Sequence, residues 1–178
     1  MVWRPHCRLR VRRQLCTLVV MCSSGAVGTT SRPPKWIKPQ LTRLVDEAPT
    51  GKDWLHEIKY DGYRMHARLA GGQATFLTRT GLDWSHRYRR MIEALRSLPV
   101  ESAYLDGELC ALRADGVPAF SRLQAAMDEG RTGDLVFFVF DVLHLDGEST
   151  ARLPLIERKE RLQRLLKKTE LFGAFIPS

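Results

Sequence analysis

Lys59 stands in the run Glu57-Ile58-Lys59-Tyr60-Asp61-Gly62-Tyr63-Arg64, between two carboxylates, with a glycine three residues on and an arginine five residues on. This grouping suits a nucleophilic lysine that attacks a phosphate. An ordinary lysine amine is protonated at neutral pH and cannot attack in that form. Burial or nearby positive charge, from Arg64, other cations or a metal, must favour the neutral amine. Gly62 lets the backbone approach a bulky ligand, and Glu57 and Asp61 could orient the amine or bind a ribose. The plain alternative is a solvated Asp-Gly turn. At average residue usage, four fixed types (Lys, Asp, Gly, Arg) at this spacing arise by chance in only about one such chain in a thousand.

Other polar residues stand where a core would be expected. In residues 103–112, Ala103, Leu105, Leu109 and Ala111 alternate with Asp106, Glu108 and Cys110, the period of a strand with two faces. Two carboxylates on one strand face are either solvated or the ligands of a ribose or metal. Asp141 interrupts the apolar run 135–145, which reads as a strand buried on both faces. A carboxylate there must be paired or lie near a site.

The elements that would position these residues follow from pattern. Residues 54–60 read as a strand ending at the lysine. Residues 63–69 alternate in the same way, Gly71-Gly72 turns the chain, and 73–79 return as a hairpin partner. Two strands would thus carry Lys59 and Arg79 toward one sheet edge. Asp83 is expected to cap a helix over 84–97, with Trp84, Tyr88, Met91, Ile92 and Leu95 at helical spacing. A short helix over 120–127 turns Phe120, Leu123 and Met127 inward. Asp146-Gly147 makes a turn, and Pro154 opens a basic amphipathic helix to about 168, with Leu155, Ile156, Leu162, Leu165 and Leu166 inward. Upstream, Pro33, Pro34 and Pro39 keep 32–53 extended, apart from a short helical turn at 41–47, and Trp36 and Ile37 dock on the core.

A chain of 178 residues suits one domain with a sizeable core. The net charge of +8 invites a nucleic-acid reading, yet eight of the 28 basic residues lie in 1–40, where there is no acid, leaving 20 basic against 20 acidic residues beyond. Only a local basic face could then bind DNA. Cys7, Cys16 and Cys22 cluster near the start and Cys110 is alone, so neither a zinc spacing nor a disulfide framework emerges. A cytoplasmic location is the default, and no stretch is apolar and long enough to span a membrane. Residues 1–31 read as a disordered or spurious leader rather than a targeting signal.

Together these segments resemble the adenylation (nucleotidyltransferase) domain of ATP-dependent DNA ligases, with the likeness strongest to the ligase module of bacterial ligase D, an end-joining enzyme. It covers roughly residues 34–170, starting at Pro34-Lys35-Trp36-Ile37-Lys38-Pro39, and implies a partial adenylation domain over 32–170. Four signatures occur in the family's order. They are Glu57 to Arg64, the turn Thr78-Arg79-Thr80-Gly81, the run Leu105-Asp106-Gly107-Glu108, and Phe140 to Gly147. The resemblance implies an α+β, ATP-grasp-like fold of the covalent nucleotidyltransferases, with mainly antiparallel sheets flanked by helices. It implies that Lys59 attacks the α-phosphate of ATP, releasing pyrophosphate and leaving a lysyl-AMP. Glu57 would meet the adenine amino group, Arg64 and Arg79 the phosphate and ribose, Glu108 the ribose or a Mg²⁺ or Mn²⁺ ion, and Phe140 the adenine face. AMP would pass to a 5′-phosphate of nicked or broken double-stranded DNA, with a Ku-type end-binding protein as a further partner.

Thr80 replaces the asparagine usual in the second signature. After residue 170 the family continues with a strand carrying a metal-binding glutamate, a lysine-rich strand and an OB-fold. Residues 171–178 match none of these, so the expectation is a half-built domain, inactive alone. The alternatives are an RNA ligase, an RNA-capping nucleotidyltransferase or a truncated, non-catalytic relic.

Overall fold

The computed structural model describes residues 32–41, 46–47, 51 and 54–167. They fall into two compact units, one holding 41–59 and the other 32–40 together with 60–167. The leader, the tail beyond 167 and most of the expected helical turn at 41–47 lie outside the described residues.

In the first unit, residues 54–59 are irregular rather than a strand. This corrects the expected strand through the lysine. Leu55 and Ile58 are exposed there, so the segment lacks the buried alternate face that gives a strand its stability.

The second unit is built on a sheet of five antiparallel strands in the order β2-β1-β3-β4-β5. They are β1 (Tyr63–Ala70), β2 (Gln73–Thr78), β3 (Ser102–Cys110), β4 (Val136–Leu145) and β5 (Glu148–Ser149). Gly71 and Gly72, at φ 58° and 72°, close the first hairpin as expected. Three helices join them: α1 (Arg89–Arg96), α2 (Phe120–Asp128) and α3 (Leu155–Lys167), so the fold is α+β.

The sheet's alternation sorts the side chains. Met65, Ala67 and Leu69 of β1, Leu105 and Leu109 of β3, and Phe137, Val139 and Val142 of β4 join one apolar cluster with Tyr88, Ile92 and Leu95 at α1, Leu123 of α2, and Leu162 and Leu165 of α3. The intervening residues Arg64, His66, Tyr104, Asp106, Glu108 and Phe138 take the other face by the same period of two.

Two helices depart from expectation. α1 begins five residues later than the pattern suggested. Asp83 caps a turn rather than the helix, its Oδ1 accepting from the Ser85 N–H at 2.9 Å and hydroxyl at 2.5 Å. The Ser85 hydroxyl oxygen in turn accepts from the Phe76 N–H at 2.9 Å. These bonds tie 83–85 to β2, so only a single 3-10 turn at Ser85–Arg87 forms before α1. In α3, Ile156 is exposed and Arg158 is buried. Ile156 was expected to face inward, whereas the charged Arg158 takes an inward place through its ion pair with Asp141.

Signature glycines mark close approaches. A Cβ on Gly62 would lie 2.1 Å from the Leu109 carbonyl oxygen, and one on Gly107 would lie 2.5 Å from the Phe137 ring.

Candidate active site

Arg64 projects from β1 opposite Glu108 of β3. Its Nε and Nη2 donate to the two carboxylate oxygens of Asp106 at 2.5 and 2.6 Å, a fork only arginine supplies. Asp106 is buried, with 5% of its side-chain surface exposed, whereas Arg64 keeps 23%. The guanidinium is therefore anchored from beneath, and two of its five N–H groups are used.

The guanidinium carbon lies 4.3 Å from the centroid of the Phe140 ring. Register explains that meeting. Gly107 pairs with Val139 but Asp106 pairs with Asp141, so Phe140 is the extra residue of a β-bulge. Bulges re-aim side chains and occur beside active sites. Lys159 of α3 approaches the same ring at 5.8 Å and donates its Nζ proton to the Phe140 carbonyl. Asp141 accepts both ends of the Arg158 fork at 2.9 Å and the Val142 N–H at 2.8 Å. Burial pushes its carboxyl upward against the pull of Arg158, and the two-pronged geometry is that of a carboxylate. Of the two expectations for Asp141, paired or near a site, the pairing is met by Arg158.

Glu108 is half-buried and accepts the Gly62 N–H at 3.2 Å. The first lysine-signature residue in this unit, Tyr60, stacks on Phe138 at 4.3 Å and 6°, and Phe138 stands opposite Glu108. Arg79 is exposed in the turn after β2, one step beyond the Met65–Thr78 pair and so at Arg64's end of the sheet.

The structure thus brings together Arg64, Glu108 and Phe140 of the residues expected from sequence. Glu57, half-buried, and Lys59, exposed, belong to the first unit. The solvated reading fails for Asp106, which is buried under Arg64. Lys159 and the Tyr60–Phe138 stack were given no part by sequence reasoning, which offered Asp106 as a solvated group or a ribose or metal ligand and not as the anchor of Arg64. The pattern's own hints were a carboxylate repeating on the Arg64 face and a lysine beside the residue that binds Asp141. Cys110 packs behind Gly62; burial above all, then Glu108 and Asp61, push its thiol up to about 12, so it is no nucleophile.

The site has the chemistry of an anionic, aromatic-seeking ligand: fork donors, flat rings and one half-buried carboxylate. Among the described residues no three His, Cys, Asp or Glu side chains group as a metal cage. A Mg²⁺ ion needs only one or two carboxylates when substrate phosphates supply the rest, and Glu108 fits that need.

Residues 37–175 match the family model of the ATP dependent DNA ligase domain, and the chain belongs to that family. It is 39% identical over 143 residues to the multifunctional non-homologous end joining protein LigD of Pseudomonas aeruginosa, covering 80% of this chain and 17% of that protein. The crystal structure of the ligase domain of M. tuberculosis LigD superposes with a TM-score of 0.60 at 30% identity, over 68% of this chain and 39% of that one. A mycobacterial DNA ligase D complexed with ATP superposes at 0.58 and 30% identity, over 67% of this chain and 38% of that one. The chain spans less than half the length of each of these relatives. No helix among the described residues is long and apolar enough to cross a membrane.

Proposed function

We propose that this chain carries the nucleotide-binding and lysine-bearing part of an ATP-dependent DNA ligase acting in strand-break repair. The carrying observation is the Asp106–Arg64–Phe140 stack beside Glu108, on the polar face of the sheet and a few residues beyond Lys59. Lys59 attacks the α-phosphorus of ATP; a P–N bond forms and the bond to pyrophosphate breaks. Arg64 and Arg79 neutralise phosphate charge, the role that a planar fork performs best. Phe140 offers its ring to adenine and Glu57 receives the adenine amino group. Glu108 holds the ribose or a Mg²⁺ or Mn²⁺ ion, which offsets charge on the leaving pyrophosphate.

In the whole protein AMP then moves to a DNA 5′-phosphate and a 3′-hydroxyl displaces it. Broken double-stranded DNA is the substrate, and a Ku-type protein is a partner by likeness to the end-joining relatives alone.

The test is self-adenylylation of the 178-residue chain with α-labelled ATP and Mg²⁺ or Mn²⁺, beside Lys59→Ala and with labelled GTP as a control. Label from ATP on the wild type alone supports the reading. A folded preparation that takes no label sinks the claim that this chain performs the first step by itself. Label from GTP instead favours a capping-type enzyme.

A further inference from the structure

Behind Asp106 lies a buried polar chain that the nucleotide would not touch. His66, fully buried, places Nδ1 2.6 Å from the Tyr104 hydroxyl. That hydroxyl, also buried, accepts the Ile37 N–H at 3.0 Å. On its other side, His66 Nε2 lies 3.4 Å from Asp106 Oδ1. This contact is not a hydrogen bond, and Nε2 has no other partner among the described residues.

The protons on this chain can be assigned. Burial, against the pull of Asp106 and with the push of Arg64, lowers the His66 pKa, and burial raises that of Tyr104 to about 12. Both groups are therefore neutral at pH 7. A neutral imidazole carries one N–H. If it sat on Nδ1, the Tyr104 O–H would be buried without an acceptor and a nitrogen lone pair would face the Asp106 carboxylate. With the proton on Nε2, Tyr104 donates into Nδ1 and the N–H faces Asp106. Both ends of the ring select the same tautomer.

We propose that His66, held as its Nε2–H tautomer by Tyr104, is a positioning residue that fixes Asp106 and through it the plane of Arg64 over Phe140. The link runs on to the segment at Ile37, which is held also by Arg68 donating to the Pro34 and Pro33 carbonyls at 2.9 and 3.1 Å. Docking of the proline-flanked segment and orientation of the phosphate-seeking arginine are thereby one event. The structural chain stands on its own geometry; its effect on ATP rests on the function proposed above.

Three measurements on the full chain test it. Long-range ¹⁵N–¹H correlation spectra should show His66 protonated on Nε2; protonation on Nδ1 overturns the proposal. Hydrogen exchange at the Arg64 Nε–H should be slow in the wild type and severalfold faster in His66→Ala and in Tyr104→Phe. Core amides of β3 should stay protected in both variants, and unchanged Arg64 exchange overturns the proposal. Tyr104→Phe keeps the ring volume, so it remains decisive where His66→Ala fails to fold. In ATP titrations His66→Ala should weaken binding about fivefold with Arg64 present, less than the loss of a full hydrogen bond to a charged group, because Nε2 only contacts Asp106 at 3.4 Å. The loss should shrink to less than about twofold in an Arg64→Ala background, the limit for sites that act through one another. Equal losses in both backgrounds overturn the proposal. A wild type that binds no ATP fails the proposed function instead, and the tautomer and exchange results then decide.

Discussion

A single methyl group measures how tightly the signature residues are packed. Gly62 donates its N–H to Glu108, and a Cβ on it would meet the Leu109 carbonyl and the Cys110 thiol. Backbone cannot yield as a flexible side chain can, so Gly62→Ala must open the contact between the chain at Gly62 and β3. It should cost at least about 2 kcal/mol, the range of severe overpacking, read by chemical denaturation of both proteins. A variant as stable as the wild type would show that the approach is looser than the geometry requires. Glycine in this signature is therefore a packing requirement of the sheet as well as an allowance for ligand.

Besides its apolar packing, helix α3 is tied to β4 by polar contacts of Arg158 and Lys159 that adjoin the site. Arg158, buried, binds both oxygens of Asp141 and the Leu153 carbonyl, while its neighbour Lys159 binds the Phe140 carbonyl. Removing one partner of such a pair strands the other charge in a dry environment. Arg158→Ala should therefore destabilise by about 3 to 5 kcal/mol, the range for a broken buried pair. Arg158→Met with Asp141→Leu should recover much of that loss, since no charge is left unpaired. Equilibrium unfolding of the two variants gives the comparison. A double variant no better than the single would mean that the pair supplies attraction rather than merely avoiding a stranded charge.

Among the described residues of the molecule, two fully buried histidines lie on the polar face. His66 sits on β1, and His144 on β4 makes a 3.3 Å contact with the Ser102 hydroxyl. Burial first of all lowers both pKa values from the ordinary 6.5. Their folded-state pKa values lie below their unfolded ones, so the unfolded chain binds more protons. Stability contributed by the neutral rings is thus complete above about pH 6.5. It is lost as pH falls through that value toward the folded pKa values, with a slope of at most about 2.7 kcal/mol per pH unit for two groups. Unfolding curves between pH 7.5 and 5 should show that fall. His66→Gln should flatten it by up to half, and a flat wild-type profile would contradict the burial argument.

The sequence by itself determined the hairpin at Gly71-Gly72, the alternation of β1 and β3, the buried strand β4, the need for Asp141 to be paired or near a site, and the order of four signatures. Each is a local matter of period, turn residue or composition, and local preferences pointed the same way. It also put Arg64, Glu108 and Phe140 forward as site residues, through resemblance. Only the tertiary structure decided that Asp106 lies buried beneath Arg64, that a bulge aims Phe140 at that guanidinium, and that His66 and Tyr104 stand behind them. These depend on register between strands distant in sequence, to which a period of two is blind. The strand expected at 54–60 failed for the same reason: alternation was read where no partner strand received it. The late start of α1 came from Asp83 and Ser85 hydrogen-bonding to β2, a contact between elements that outweighed helical spacing.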